Sequence, residues 1–119
     1  METLEGMRRS HHAGELRKKE VGQEVTVCGW VSHRRDHGGL IFVDLRDRSG
    51  LVQIVYDAAA MGEKAFHKAE SLRSEFVIAV HGLVRARSED TINPKMATGE
   101  IEIVCVELRI LNKAKTPPF

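Results

Sequence analysis

Residues 40–56 read LIFVDLRDRSGLVQIVY, two runs rich in Val, Ile, Leu and aromatic residues on either side of a short polar segment. Such runs are typical of β-strands. The segment between them, Asp-Arg-Ser-Gly at residues 47–50, ends in glycine, where a left-handed backbone costs little. The stretch therefore predicts a β-hairpin with strands at residues 40–45 and 51–56.

The register of this hairpin follows from the side chains that must be buried. A turn centred between Arg48 and Ser49 makes Asp44 face Gln53. Alternation then places a nearly all-apolar set on one face, namely Ile41, Val43, Leu45, Val52, Ile54 and Tyr56. The opposite face holds Phe42, Asp44, Gln53 and Val55. Because a one-residue slip would bury two polar side chains without partners, we expect the first face to be the core and the second to be open.

The flanking sequence extends the pattern in both directions. Alternation of β-branched residues predicts strands, a Gly-Gly pair predicts a turn, and apolar residues at helical spacing among Ala, Glu and Lys predict a helix. The resulting elements are a first strand at 24–31, a turn at 33–39, a helix at 58–72, strands at 76–87 and 101–111, and a loop at 88–99.

Three strands, one helix and two more strands predict an all-β fold, the OB-fold, which is a five-stranded Greek-key barrel with its helix between strands three and four. This barrel is used for oligonucleotides and oligosaccharides. We place it at residues 21–112, after an N-terminal extension at 1–20 with a short helical turn near 16–20. Residues 113–119, KAKTPPF, cannot continue a strand and are interpreted as the start of a linker.

Composition favours one globular domain, with 42% hydrophobic and 29% charged residues in a chain of 119. The sequence lacks the apolar run of about 18 residues that a spanning helix needs and the apolar stretch of a secretory signal, so we expect a cytoplasmic protein without a membrane partner. Cys28 and Cys105 lie in Val-rich runs, and we interpret both as reduced core residues.

Charge alone does not indicate nucleic acid, because the formal net charge is only +1. An RNA site would depend on local arginine pairs, which occur at residues 34–35, at 46 and 48, and at 85 and 87. Taken singly, such pairs are most often part of a solvated surface.

Phe42 is the first candidate for a binding role, since an outward aromatic ring on an OB barrel can stack on a base. Gln53, diagonal to it, can donate and accept hydrogen bonds. Glu102 points outward on the fifth strand and could accept from an exocyclic amine. Each also has an ordinary interpretation: Phe42 as a core residue or one covered by the N-terminal segment, and Glu102 as a solvated carboxylate.

Catalytic and metal-binding patterns are not found. The six histidines lack zinc-ligand spacing, and no nucleophile-elbow or phosphate-binding glycine motif occurs. A nuclease-like carboxylate cluster could be built from Asp36, Asp44 and Asp47, but these residues alternate in face and lie beside arginines. We therefore favour binding over catalysis, and expect no catalytic, cofactor-binding or metal residue in this chain.

Several stretches closely resemble the N-terminal domain of bacterial aspartyl-tRNA synthetases. They are GWV at 29–31, RRDHGGLIFVDLRDR at 34–48, GLVQ at 50–53, RAR at 85–87 and MATGEIE at 96–102. The resemblance runs from about Arg9 to Phe119. It is specific, because the related asparagine and lysine synthetases share the barrel and the GWV motif but not the long run with MATGEIE.

This resemblance implies that the barrel holds the anticodon loop of tRNA and spreads its bases over the open face. It implies that Phe42 stacks on the central anticodon uracil, with Gln53 as its polar neighbour. Arg35 and Glu102 match the other anticodon-reading positions of the family.

The resemblance implies weaker assignments elsewhere. Arg85 and Arg87 match basic positions near the anticodon loop, and Asn93 lies in a loop that the family uses. His37, with the loop that holds Asp90 and Thr91, lies near the last anticodon base. A histidine there resembles members that accept both tRNA(Asp) and tRNA(Asn).

The family continues beyond this sequence into a class II catalytic domain that binds ATP with Mg²⁺ and dimerises. None of its motifs is present here, so this chain alone is expected to bind without aminoacylating. Residues 1–7 look like an extension before the usual start of the family, and His12 and Ala13 depart from its pattern. Two alternatives stay open: a generic single-stranded nucleic-acid module, and a protein-interaction barrel without an RNA role.

Overall fold

The structure, a computed structural model, describes residues 2–114. Five strands close into a barrel in the order β1-β2-β3-β5-β4. Their bounds are β1 Glu24–His37, β2 Leu40–Asp47, β3 Gly50–Tyr56, β4 Val77–Ala86 and β5 Ile101–Asn112. Neighbouring strands are antiparallel except for the β3–β5 pair. The predicted five-stranded barrel is confirmed; residues 115–119 of the predicted linker lie outside the described residues.

The β2–β3 hairpin has the predicted register, with Leu45 paired to Val52 and Asp44 paired to Gln53. The six side chains predicted to face the core are all buried, none of them more than 2% exposed. Period-2 alternation therefore identified the barrel interior correctly, because only one register keeps the polar side chains out of it.

Strand β1 is longer than predicted and runs through His37. The predicted turn at 33–39 is wrong except at Gly38 and Gly39, which have positive φ angles of 58° and 83°. The first part of β1 pairs with β4 and the second part with β2, with an irregularity between Val31 and His33. Its charged residues are compatible with a strand because most of their side chains are exposed.

The single helix predicted between strands three and four is two short helices, α1 Ala58–Met61 and α2 Glu63–Glu70. Gly62 separates them with a φ of 85°, a conformation that other residues rarely adopt. The Asp57 side chain caps α1 by accepting a hydrogen bond from the Ala59 backbone N–H. The helical spacing of apolar residues still identified side chains that are buried, since Ala69 and Leu72 lie in the barrel core.

The N-terminal segment forms two 3₁₀ turns, Ala13–Glu15 and Lys18–Glu20, instead of the one predicted near 16–20. The Ala13 N–H donates to Asp47 Oδ2 at 2.7 Å, which ties the first turn to the β2–β3 connection. A side chain at Gly14 would collide with the Ser49 backbone. Ala13 and Leu16 are fully buried and belong to the same core as the strands, whereas the domain boundary at residue 20 stays a prediction.

Both cysteines are free thiols. Cys105 is in the core, and burial raises the pKa of its thiol to about 12. Cys28 is only half-buried and lies outside the core, because it alternates with the buried Val27. The expectation of two core cysteines is thus wrong for Cys28. Within residues 2–114, no helix is long and apolar enough to cross a membrane.

Candidate nucleic-acid interface

A cleft of about 850 Å³ opens on the outer side of the barrel, where all five strands and the loop after β4 contribute to its walls. Every site residue predicted from the sequence lines it except Asn93. The full lining consists of Arg35, Asp36, His37, Phe42, Gln53, Arg85, Ala86, Arg87, Ser88, Thr91 and Glu102.

A chain of hydrogen bonds crosses the floor of the cleft. Arg35 Nη2 on β1 donates to Gln53 Oε1 on β3 at 2.8 Å, and Gln53 Nε2 donates to Glu102 Oε1 on β5 at 2.8 Å. Arg85 Nε on β4 donates to Glu102 Oε2 at 2.7 Å. The chain orients the Gln53 amide, since its oxygen meets an arginine and its nitrogen meets a carboxylate.

Gln53 and Glu102 lie deeper than expected, at 5% and 7% exposure. The alternation placed them on the correct face, but the expectation that Gln53 is open and Glu102 solvated is wrong. Val55 is also buried, at 1%, because barrel closure brings Val104 of β5 beside it. Alternation along one strand identifies a face but contains no information about which strand packs next to it.

Phe42 is half-buried in the wall of the cleft and is not among the core residues. The guanidinium carbon of Arg35 lies 5.7 Å from the centre of its ring, within range of a cation–π contact. The interpretation of Phe42 as a core residue is therefore excluded. The place of Phe42 in the cleft wall argues against the other ordinary interpretation, in which the N-terminal segment covers the ring. The ring and the cation together form a platform on which a flat ligand can stack.

Asp36 and His37 lie at the end of β1, on the rim of the cleft, and both are exposed. Arg34 binds the Asp36 carboxylate through two hydrogen bonds of 2.8 and 2.9 Å. The hydrogen bond from Arg34 lowers the pKa of Asp36. Asp36 and Ser88 are cleft residues that the sequence reasoning missed; extending β1 through His37 would have found Asp36.

Asn93 does not line the cleft. Its Oδ1 accepts a hydrogen bond from the Lys95 N–H, and its backbone N–H and oxygen bond to Gly99 and Met96. These contacts organise the loop at residues 88–99 from within. A binding role for Asn93 stays a prediction without support from its position.

Three guanidinium groups and two carboxylates line the cleft. One of the carboxylates, that of Asp36, is paired with Arg34, which is not part of the cleft lining. The cleft is therefore positive although the net charge of the chain is only +1. Such a surface attracts the phosphates of a nucleic acid. Among residues 2–114, no three His, Cys, Asp or Glu side chains are grouped to hold a metal ion.

Comparison with known proteins gives close relatives. The chain is 61% identical over 119 residues to the aspartate–tRNA(Asp/Asn) ligase of Moorella thermoacetica, covering all of this chain and 20% of that protein. It is 55% identical over 118 residues to the ligase of the same name from Halothermothrix orenii, covering 99% of this chain and again 20% of the relative. The chain thus spans about a fifth of the length of these relatives.

Solved structures agree with the fold. The asparaginyl-tRNA synthetase of Pyrococcus horikoshii, complexed with asparaginyl-adenylate, superposes with a TM-score of 0.76 at 27% identity, over 93% of this chain and 24% of that one. An OBody bound to hen egg-white lysozyme superposes with a TM-score of 0.77 at 31% identity, over 90% of this chain and 96% of its own.

The family model described as the OB-fold nucleic acid binding domain, tRNA anticodon type, matches residues 25–111. The match runs from the start of β1 almost to the end of β5 and so includes every strand that lines the cleft. The resemblance seen in the sequence motifs is confirmed by the relatives. This chain belongs to the tRNA anticodon family of OB-fold nucleic acid binding domains.

Proposed function

We propose that the cleft binds the anticodon loop of tRNA(Asp), and also that of tRNA(Asn), as the recognition part of an aspartate–tRNA ligase. The observation that carries the proposal is the preformed chain from Arg35 through Gln53 and Glu102 to Arg85, next to the Phe42 ring. The names of the relatives support it, since they are ligases for both tRNAs.

The geometry suits a single-stranded loop whose bases are unstacked. A base that stacks on Phe42 gains about 1–3 kcal/mol, largely independent of its identity. Gln53 retains one amide hydrogen and one lone pair beyond its two observed bonds, and the Glu102 carboxylate retains further acceptor positions. These groups line the same cleft as the platform and supply base selectivity that stacking alone does not.

The arginines have two tasks in this arrangement. Arg35 contacts both Phe42 and Gln53, so it links the stacking surface to the hydrogen-bonding floor. Arg85 offsets the charge of the buried Glu102 while about half of its side chain, 49%, stays exposed to solvent. Its outer nitrogens are therefore available to a phosphate. Because these contacts exist before RNA arrives, little side-chain ordering is needed on binding.

His37 is exposed on the rim, where it can contact a base or a phosphate next to the one on Phe42. We include tRNA(Asn) among the ligands on the basis of this histidine and of the names of the relatives. Charging of only tRNA(Asp) by the parent enzyme would remove tRNA(Asn) from the proposal without affecting the rest.

The relatives are about five times longer than this chain. We propose that the parent protein attaches aspartate to tRNA with ATP and Mg²⁺, that it works in the cytoplasm, and that it dimerises through its catalytic domain. The residues of this chain would contribute RNA recognition alone.

Fluorescence anisotropy with anticodon stem-loops tests the proposal. At fixed low salt, the aspartate stem-loop should bind more tightly than stem-loops changed at the central uracil. Equal affinity for every loop would instead indicate a generic single-stranded nucleic-acid module. Saturable binding to none of the loops would refute RNA recognition and favour a protein-interaction barrel.

A further inference from the structure

Arg87 differs from the other arginines of the cleft because it is buried, at 8% exposure, although it lines the cavity. Its guanidinium is directed into the loop that follows β4. Nε donates to the Ile101 carbonyl at 3.1 Å, and Nη1 donates to the Thr91 carbonyl at 3.1 Å. Nη2 lies 3.9 Å from Met96 Sδ. All three nitrogens therefore have partners within residues 91–101.

A guanidinium used in this way is poorly placed to bind a phosphate. Its bonds to the Thr91 and Ile101 carbonyls hold it against the loop, and a movement toward a phosphate would break them. Burial also lowers the pKa of Arg87. Arg85 and Arg87 are two residues apart on the chain, yet Arg85 is half exposed whereas Arg87 is buried and bonded to the loop.

The segment that Arg87 holds is part of the cleft wall. Ser88 and Thr91 both line the cavity, and their hydroxyl oxygens are 3.0 Å apart. Thr91 Oγ1 also donates to the Ser88 carbonyl at 2.9 Å, which closes the short 3₁₀ turn Glu89–Thr91. The Arg87 bond to the Thr91 carbonyl fixes the end of this turn.

We propose that Arg87 is a positioning residue, which fixes the Ser88–Thr91 turn as a wall of the cleft so that its two hydroxyls contact bound RNA. It acts on RNA through this turn and does not contact a phosphate. The inference rests on the proposed RNA-binding function, adds Ser88 to the residues that meet the ligand, and assigns the contact of Thr91 to its hydroxyl.

The salt dependence of RNA binding distinguishes positioning from phosphate contact. Each phosphate contact to single-stranded RNA contributes about 0.7 to the slope of log affinity against log salt. We expect Arg85→Gln to lower this slope by about 0.7, and Arg87→Gln to lower affinity while the slope stays unchanged. A slope that falls equally in both variants would overturn the inference.

The conservative substitution gives an independent readout. A lysine retains the charge but cannot donate in three fixed directions. Arg87→Lys should therefore bind RNA as weakly as Arg87→Gln. Full recovery of affinity by lysine would show that only the charge matters, and would contradict positioning.

A third experiment tests whether Arg87 affects RNA binding through the Ser88–Thr91 turn. Removing both hydroxyls with Ser88→Ala and Thr91→Val should weaken RNA binding in the wild-type background and have little further effect in Arg87→Gln. Strictly additive losses would refute action through the turn. Thermal unfolding followed by circular dichroism verifies that each variant is folded.

If the Arg87 variants do not fold, nuclear magnetic resonance of the wild-type protein replaces them. We expect the Ser88 and Thr91 amide resonances to shift on RNA addition while the Arg87 Nε–H resonance stays in place. An Arg87 Nε–H that shifts more than either amide would overturn the inference. A wild-type protein that binds no stem-loop refutes the proposed function and this inference together. If the wild type binds RNA and the slope of log affinity against log salt falls in Arg87→Gln, only the inference is refuted.

Discussion

The two faces of strand β3 are both buried, but for different reasons. On the inner face, Ile54 and Tyr56 pack into the barrel core, and the Tyr56 hydroxyl is fully buried without a hydrogen-bond partner. On the outer face, Gln53 is 5% exposed, and its amide nitrogen and oxygen both have partners. Burial therefore does not separate core from site in this molecule; the pattern of hydrogen bonds does.

The difference shows how each face is stabilised. The inner face depends on apolar area and close packing, which tolerate one unpartnered hydroxyl. The outer face depends on a set of polar contacts from β1, β3, β4 and β5, each of which satisfies the next. Removing one member of such a set leaves buried polar groups without partners.

Truncating the inner face should give the largest effect. Ile54→Ala leaves a cavity in the core and should lower the free energy of unfolding by about 2–5 kcal/mol. Urea denaturation measures this loss. Leu83→Ala is the matched control, because Leu83 is 41% exposed and its truncation should change stability by less than about 0.5 kcal/mol. Equal losses in the two variants would contradict the assignment of Ile54 to the core.

Replacing the central polar residue of the outer face should give an intermediate effect. Gln53→Leu keeps the volume but deprives Arg35 and Glu102 of their partner, so stability should fall by about 1–3 kcal/mol. RNA affinity should fall as well. Gln23→Leu, at an exposed position, is the control and should alter neither quantity. A Gln53→Leu protein with the stability and RNA affinity of the wild type would show that neither property depends on the hydrogen-bonded chain.

Removing the unpartnered hydroxyl should give the smallest effect, and in the opposite direction. Tyr56→Phe eliminates a buried polar atom without a partner and should raise the free energy of unfolding by about 1 kcal/mol. The same hydroxyl has a pKa raised well above its usual value by burial. Destabilisation by Tyr56→Phe would mean that the hydroxyl has a partner in solution, such as an enclosed water.

The inner face could be predicted from the sequence, and the outer face only in part. The hairpin register depends on local alternation, which a single strand contains. The contact between Arg85 and Glu102 joins residues on strands that are separated by a long loop, and no local pattern encodes their pairing. Arg35 was placed in a turn by its charged neighbours, although β1 continues past it as a strand.

The resemblance to a family named most of the cleft residues without giving their geometry. It did not distinguish the exposed Arg85 from the buried Arg87, since both are simply basic positions in the sequence. It also assigned Asn93 to binding, which stays a prediction, since Asn93 does not line the cleft and its contacts lie within the loop. Exposure and hydrogen-bond partners, which separate these roles, depend on the folded structure.

The central claim is that Phe42 and the hydrogen-bonded polar groups beside it read an anticodon base. The most direct test is a double-mutant cycle in fluorescence anisotropy, with wild type and Phe42→Ala against stem-loops that carry uracil or another base at the central position. We predict that Phe42→Ala loses about 1–3 kcal/mol with the uracil loop and much less with the changed loop. Equal losses with both loops would contradict base reading at this platform.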